Sequence, residues 1–429
     1  MAEAKETLAV IGSGIAGLSA AWLLKQKYKV TLIEGHERAG MGVHTIDYES
    51  QGIRSRIDVP LRIFTEGYYQ NLLALYKEIG VSIESSDHSG IFADLQGNTL
   101  FHYGRLTLLG KSFSYPKGRS FFSVKAWKLG LANQKFFKQA HQAVAADAEL
   151  ADITFADYLA QINIDQGYID SILLPILAVT CTCDYQSILR YPADIVLGYL
   201  TCGVWKYGIL NAEKGVDDIV PRLVQGIDLQ TGSAVSAIEQ QDKKIKVTRD
   251  NGDSELYDQV VIASQAQQAA AMLQGFEQQK QLLETVPFES SWMTVHTDDG
   301  ILPASLTSHS PVSYILPKQG EQRPQVSVDL SKAISRYKQQ GQVFQTWNPL
   351  HELAEDKLLA KVEFTRPVVT HESRAALNEL KKLQFQPDNK VWFCGSYMAE
   401  KIPLLDAAVD SSVAIAKHLG IDIPWLNNA

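Results

Sequence analysis

Four cysteines in 429 residues are too few for the disulfide framework of a secreted scaffold. Two of them stand close together in Cys181-Thr182-Cys183, but no second Cys/His pair lies nearby in sequence. They read as buried thiols rather than as a metal or redox pair, and no metal is expected. No stretch reaches the roughly 18 consecutive apolar residues of a membrane span. The polar start, Met1 to Thr7, runs straight into an apolar segment without the basic-then-apolar layout of a signal peptide. Those two absences set the expectation of a cytoplasmic protein with no transmembrane segment. A dense Lys/Arg block is also missing, and the net charge is −8, which argues against nucleic acid as a partner. Neither an internal repeat nor a low-complexity linker interrupts the chain, whose length suits two or three domains.

What the chain does have is concentrated at its beginning. Leu8 to Ile11 is a short apolar run suited to a fully buried strand, and Gly12, Gly14 and Gly17 follow in the G-x-G-x-x-G spacing. An Ala/Leu-rich helix comes next, then Val30 to Ile33 as a second parallel strand ending at Glu34. Each part has a task in dinucleotide binding. Gly12 permits the tight turn, Gly14 lets a pyrophosphate approach bare backbone, and Gly17 allows close helix–strand packing. The residues of the turn and helix start, Ser13, Ile15 and Ala16, present backbone N–H groups to phosphate. Glu34 is placed to accept from a ribose 2′-hydroxyl, and its charge disfavours a 2′-phosphate.

Further along, Arg38, Gly40 and Gly42 follow Gly35 and precede Val43, with Met41 between the last two glycines. Placed just after the acid that ends the second strand, this segment resembles the Arg-x-Gly-Gly segment of flavoproteins with two dinucleotide-binding domains. The chain is similar to the flavin-containing amine oxidase and phytoene desaturase superfamily. More narrowly, a strand end His296-Thr297-Asp298 and a strand ending in Asn348-Pro349 resemble a bacterial branch of NAD/FAD-binding proteins often encoded beside cyclopropane-fatty-acyl-type synthases. Other stretches fit in order. Gln51 to Phe64, with Pro60, Leu61 and Arg62, looks like the segment crossing near the flavin ring. Val235 stands where the family contacts adenine through its backbone, and Ala263-Ser264 looks like a strand end passing close to the dinucleotide. Lys390 to Gly395 followed by a helix from Leu404 to Leu419 is similar to the C-terminal flavin block, with Gly395, Ser396, Leu405, Asp406 and Ala407 at the ring edge. Ser396 replaces the usual acid, and Ser411-Ser412 stands where Ser-Gly is common.

The resemblance implies FAD as cofactor and an α/β fold: a Rossmann-like FAD-binding domain of the GR2 type with a substrate domain of mixed sheet and helices. It implies a discontinuous division, with residues 1–85, 209–268 and 387–429 forming the FAD-binding domain and 86–208 and 269–386 the substrate domain. Residue patterns add local expectations: a helix over 68–80 closed by Gly80, a hairpin around Gln96-Gly97-Asn98, and a mostly helical region over about 119–210. A strand is expected over 228–238, a hairpin at Asn251-Gly252, and strands of a second sheet at 291–298, 311–316 and 342–349.

In such a protein the flavin carries the redox step and the polypeptide positions substrate and tunes the ring. A helix N-terminus near Leu405 would stabilise negative charge on the reduced ring. Arg62, in an otherwise apolar segment, is a candidate to hold a substrate carboxylate or that charge, or else to pair structurally with an acid. His296 is a candidate acid or base, and Tyr207, Trp347 and Asn348 are candidates to line the pocket. The lysine usual in polyamine-type oxidases has no counterpart within Trp292 to His296. The expectation is an FAD-dependent oxidoreductase removing hydride from a small, largely apolar molecule, an unsaturated or modified fatty-acyl compound being one option. An amine oxidase, a double-bond isomerase and, more remotely, a non-catalytic lipid binder of the same fold are the alternatives. Peripheral membrane contact and oligomeric state are left open.

Overall fold

In the first strand, Thr7–Ile11, side chains alternate between two separate cores. Leu8 and Val10 join one cluster with Leu32, Leu72, Leu177 and Val409. Ala9 and Ile11 join another with Ile33, Val260, Ile262 and Phe393. A strand buried on both faces needs a continuous apolar run rather than an alternating one, and it belongs inside a parallel sheet covered by helices. The computed structural model, which describes residues 5–108, 111–146, 149–203, 206–306, 310–318 and 320–426, has that arrangement. Five parallel strands run in the order Asp228–Gln230, Lys29–Ile33, Thr7–Ile11, Gln259–Ile262, Val391–Phe393. The sheet thus gathers strands from the start, middle and end of the chain.

The first helix, Ile15–Leu24, and the last, Leu405–His418, pack against each other on this sheet. Their contact includes a buried hydrogen bond of 2.7 Å between the Ser19 and Ser412 hydroxyls. Ser411 turns the other way and accepts from the Gly395 backbone N–H at 2.9 Å. The two serines found where Ser-Gly is common therefore each hold a partner. The helix expected after Tyr68 spans Gln70–Glu78, with Gly80 at φ +72° behind it.

The second large element is an eight-stranded, mostly antiparallel sheet. Its order is Leu358–Pro367, Phe288–His296, Phe344–Trp347, Gln325–Asp329, Val312–Ile315, Gly90–Ala93, Thr99–Leu108, Lys111–Pro116. All three strands expected at 291–298, 311–316 and 342–349 lie in it, as does the hairpin around Gly97. Helices between Val124 and Thr201 fill the expected helical region. The apolar patch at 172–179 contributes Ile172, Leu173, Leu174 and Leu177 to the main core, so most of it is packing. One expectation fails: residues 228–238 form no single strand. Gly232, at φ +62°, breaks it into Asp228–Gln230 in the parallel sheet and Val235–Gln241 in a separate four-stranded sheet.

Cys181, Cys183 and Cys394 are buried and Cys202 is half-buried. Among the described residues no helix is long and apolar enough to cross a membrane.

The closest backbone approach in the sheet layer is at Gly17, where an added Cβ would sit 1.8 Å from the Gly12 carbonyl oxygen. Gly17→Ala must push the first helix off its strand. Overpacking of this kind costs about 1–3 kcal/mol, so a lower midpoint of chemical denaturation is expected, and an unchanged midpoint would contradict this packing.

Candidate functional site

Open parallel sheets place ligands at the carboxyl ends of their strands, where neighbouring connections diverge. Here the backbone ladder continues one residue past each strand. Gly12 N–H donates to Ile33 O at 2.8 Å, Glu34 N–H to Gln230 O at 2.8 Å, Ala263 N–H to Ile11 O at 2.8 Å, and Cys394 N–H to Ile262 O at 3.0 Å. Gly12, Glu34, Ala263 and Gly395, drawn from four distant parts of the sequence, therefore share one edge.

At this edge the glycine turn is held by a carboxylate. Glu34 Oε2 accepts from the Ser13 N–H at 2.9 Å and from the Ser13 hydroxyl, and its Oε1 accepts from His36 N–H at 3.0 Å. Ser13 Oγ in turn accepts from Gly40 N–H at 2.6 Å. Three segments that sequence treats as separate features are thereby one hydrogen-bonded unit. Gly12 adopts φ +94°, which suits only glycine without strain. A Cβ added at Gly14 would meet nothing within 4 Å, and Gly14 is exposed. The first helix has no side-chain cap, while Ile15 and Ala16 are buried. The turn is therefore an open cradle whose uncapped N–H groups suit a phosphate. A carboxylate oxygen can accept more than one hydrogen bond, so Glu34 Oε1 retains capacity for a ribose hydroxyl. Beside it, Ser233 N–H donates to Glu34 O and Gly232 N–H to His36 O, and Gly35 packs on Ala234. This leads Val235 towards the same end. The residues present fit a bound dinucleotide.

The turn at 40–45 connects this cradle to the segment before Phe64. Arg62 donates to Met41 O at 2.5 Å and Pro60 O at 3.2 Å. Leu61 N–H donates to Gln345 Oε1 at 2.7 Å, and Gln345 Nε2 donates to Asp58 O at 2.6 Å. Gln345, buried on the large sheet, thus pins the whole 58–61 backbone. Gly42 lies near Val216 and Val43 is half-buried, as are Pro60 and Leu61. Arg38 is exposed and reaches only Thr45 O at 3.5 Å. Trp347 packs on Phe364, which meets His44 of the same turn. Tyr207 lies against Gly67. Asn348 adopts φ +48° and its N–H donates to Trp292 O, which aligns it with the neighbouring strand.

At the far end of the edge, the final helix begins at Leu405 without a side-chain cap. Leu405 and Ser396 are half-buried and Ala407 is buried. The Asp406 side chain is fully buried and committed elsewhere, accepting from Leu72 N–H at 2.9 Å and Lys401 Nζ at 2.8 Å. Burial, with Asp410 close by, raises its pKa against the opposing pull of Lys401. Of this residue only the backbone is available to a ligand.

His296 departs furthest from expectation. It has no exposed surface, its Nε2 lies 2.8 Å from Thr346 Oγ1, and its ring stacks on Phe344. Thr346 Oγ1 is also 2.8 Å from Ser327 Oγ. Burial depresses the imidazole pKa to about 4, partly opposed by Asp298. The structure places this histidine in the interior of the sheet, as a packed and hydrogen-bonded residue without solvent access.

Two residues of the site, Gln345 and Arg366, are not marked as such by local sequence. Gln345 shares strand parity with Trp347, and that polar position on the Trp347 face was the available signal. Arg366 gave none, because an arginine near a strand end is by default a surface residue. Here it is half-buried, donates to Thr180 O at 2.9 Å, and has Tyr69 and Cys181 close by. Burial lowers the pKa of both Arg366 and Arg62, and the two guanidinium groups repel each other. Among the described residues neither forms an ion pair with a carboxylate.

Residues 10–79 match the model of an NAD(P)-binding Rossmann-like domain. No curated protein sequence matches the chain. Solved structures match its whole length at low identity. A conjugated-linoleic-acid-producing fatty acid isomerase from P. acnes has TM-score 0.68 and 13% identity, covering 97% of this chain and 99% of that one. Cyclohexylamine oxidase from Brevibacterium oxydans IH-35A has TM-score 0.62 and 14% identity over 97% and 100%. Putrescine oxidase bound to putrescine has TM-score 0.65 and 14% identity over 97% and 99%. The chain shares the fold of those solved structures, including the Rossmann-like nucleotide-binding domain expected from its glycine turn.

The buried imidazole predicts an acid-labile fold. An unfolded histidine protonates near pH 6.5 and the native His296 only near 4, so the unfolded state binds more protons between those values. Stability is full above about pH 6.5 and is lost as pH falls towards 4, by up to about 3 kcal/mol for this group. His88, also held near 4 by burial, acts in the same sense. In denaturation midpoints measured across this range, His296→Gln is expected to flatten part of the slope; an unchanged slope would show that His296 titrates normally.

Proposed function

We propose that this chain, having the amine-oxidase-type fold, binds FAD along the edge that joins Gly12, Glu34, Ala263 and Gly395 and acts as a flavin-dependent oxidoreductase. The convergence of those four chain segments on one open cradle carries the reading, and the full-length likeness to oxidases and to an isomerase supports it. The uncapped first helix with Gly14 would receive the diphosphate and Glu34 a ribose hydroxyl. The 58–62 segment, pinned by Gln345, would border the ring, with the start of the final helix at its other edge. When bound, the flavin supplies hydride acceptance from carbon. The domain division read from the sequence belongs to the same proposal.

We infer further that the substrate is apolar and carries a carboxylate. Arginine keeps its proton in proteins, and a buried cation without a paired anion is costly. Arg62 and Arg366 are two half-buried cations bonded to backbone carbonyls, without a carboxylate ion pair among the described residues. They favour an anionic group and repel an ammonium, which sets a fatty-acid-like substrate above an amine. In this reading the arginines bind and orient; Tyr69 and Trp347 exclude water from the apolar remainder.

The test begins with flavin release and chromatography of the purified protein, where FAD is expected and its absence would overturn the assignment. Anaerobic bleaching is then compared for unsaturated fatty acids, their methyl esters and primary amines. Bleaching by the acids without consumption of oxygen or another acceptor in turnover would identify an isomerase rather than an oxidase. Losing a charge-assisted hydrogen bond costs about 1.5–3 kcal/mol, so Arg366→Gln should raise the KM for a carboxylate substrate by roughly 10- to 100-fold and leave the methyl ester unchanged. Equal effects on acid and ester, or bleaching by amines alone, would overturn the carboxylate reading while leaving the flavin assignment intact.

A further inference from the structure

The last acidic residue before a long gap is Asp94 and the next is Asp147, so residues 95–146 contain no Asp or Glu in a chain that has 48 of them. The same 52 residues hold eight Lys or Arg, a charge of +8 within a protein of net −8. No dense basic run marks this stretch; its signature is the missing sign.

The structure puts this stretch at the outer end of the large sheet. Thr99–Leu108 and Lys111–Pro116 are its two outermost strands, followed by a turn at Gly118–Phe122 and the helix Val124–Ala145. The turn is bonded to the hairpin, Lys117 N–H donating to His102 O at 2.8 Å and His102 N–H to Ser120 Oγ at 2.9 Å. Nine of the fourteen large apolar side chains that are exposed among the described residues fall between positions 106 and 144. Leu106 and Phe113 face each other across the hairpin and share a face with Tyr115. Phe122, at the turn, is 86% exposed. Val124, Trp127 and Leu131 follow at helical spacing on the side opposite the buried Ala126, Leu129 and Phe136. Trp127 is fixed there by its indole N–H, which donates to Phe121 O at 2.7 Å, and by edge contact with the Phe121 ring. Lys117, Arg119, Lys125, Lys128 and Lys138 are exposed among them.

We propose that this face docks on the surface of an anionic lipid bilayer. Exposed aromatic rings held beside lysines match the boundary between acyl chains and headgroups, where rings enter the apolar layer and ammonium groups meet lipid phosphate. A 52-residue stretch of +8 without an acid on a protein of net −8 gives the attraction and favours this face in the orientation. A surface for a second copy of this acidic chain would gain from the charge too, but it would not call for a single 86% exposed phenylalanine ringed by lysines. The assignment is independent of the flavin reading.

Flotation of the purified full-length protein with phosphatidylcholine vesicles, with and without phosphatidylglycerol, tests it. Binding is expected to the phosphatidylglycerol vesicles and to weaken as salt is raised. Each lysine near a charged bilayer contributes about fivefold in affinity, so Lys125→Gln with Lys128→Gln should lower binding by roughly 25-fold. Phe121→Ser with Phe122→Ser should weaken binding at every lipid composition and leave thermal unfolding unchanged. No flotation at low salt, or flotation unaffected by both pairs of substitutions, overturns the proposal. So does concentration-dependent dimerisation that the phenylalanine substitutions abolish, which would make the face a contact between copies.

Discussion

The arrangement depends on one buried carboxylate. Glu34 holds the Ser13 backbone and hydroxyl, and Ser13 holds Gly40. Without that anion the glycine turn would have an unpartnered N–H on one side and a loose neighbouring loop on the other. Because the 40–45 turn in turn receives Arg62 through Met41 O, a single acid coordinates the first strand, the second strand and the segment leading to Phe64. The conventional role of an acid at this position is outward, towards ribose. In this protein it turns inward, and the rigidity of the cradle is its product.

Charge explains the division of labour across the molecule. The candidate site gathers two positive groups, Arg62 and Arg366, that hydrogen-bond to backbone carbonyls and, among the described residues, form no ion pair with a carboxylate. Elsewhere buried ions are matched: Asp58 by Arg336 at 2.8 Å, Asp406 by Lys401 at 2.8 Å. Against those pairs, the two guanidinium groups that meet no carboxylate among the described residues are the ground for the proposed anionic substrate.

Much of this was legible beforehand, for identifiable reasons. The G-x-G-x-x-G turn, the acid at Glu34 and the strand into Gly395 are short-range patterns in which each residue type answers a local steric or electrostatic need. They read well because no distant contact can override them. For His296 the sequence leaves two readings open, an acid or base and a merely hydrogen-bonded residue, for the complementary reason. A histidine ending a strand looks the same in sequence whether the strand end opens to solvent or, as here, lies against Thr346 and Phe344. Arg366 and Gln345 act through partners over a hundred residues away, Thr180 at 186 and Asp58 at 287, and no window of sequence contains such a pair. The broken strand at 228–238 falls between: Gly232 was visible, but its positive φ was decided by the hydrogen bond of its N–H to His36 O.

The Ser19–Ser412 contact between the first and last helices has a consequence for biosynthesis. The helix Ile15–Leu24 leaves the ribosome with a face that residues 405–418 cover, so it must wait for its partner until the chain has grown by 393 residues from Ser19 to Ser412. Until then the nascent chain exposes a small-residue apolar surface and an unclosed sheet edge, the state in which chains adhere to one another. Its domain at the amino terminus is therefore among the last parts to become native, and shortening the polypeptide by its final two dozen residues would strand the first two dozen.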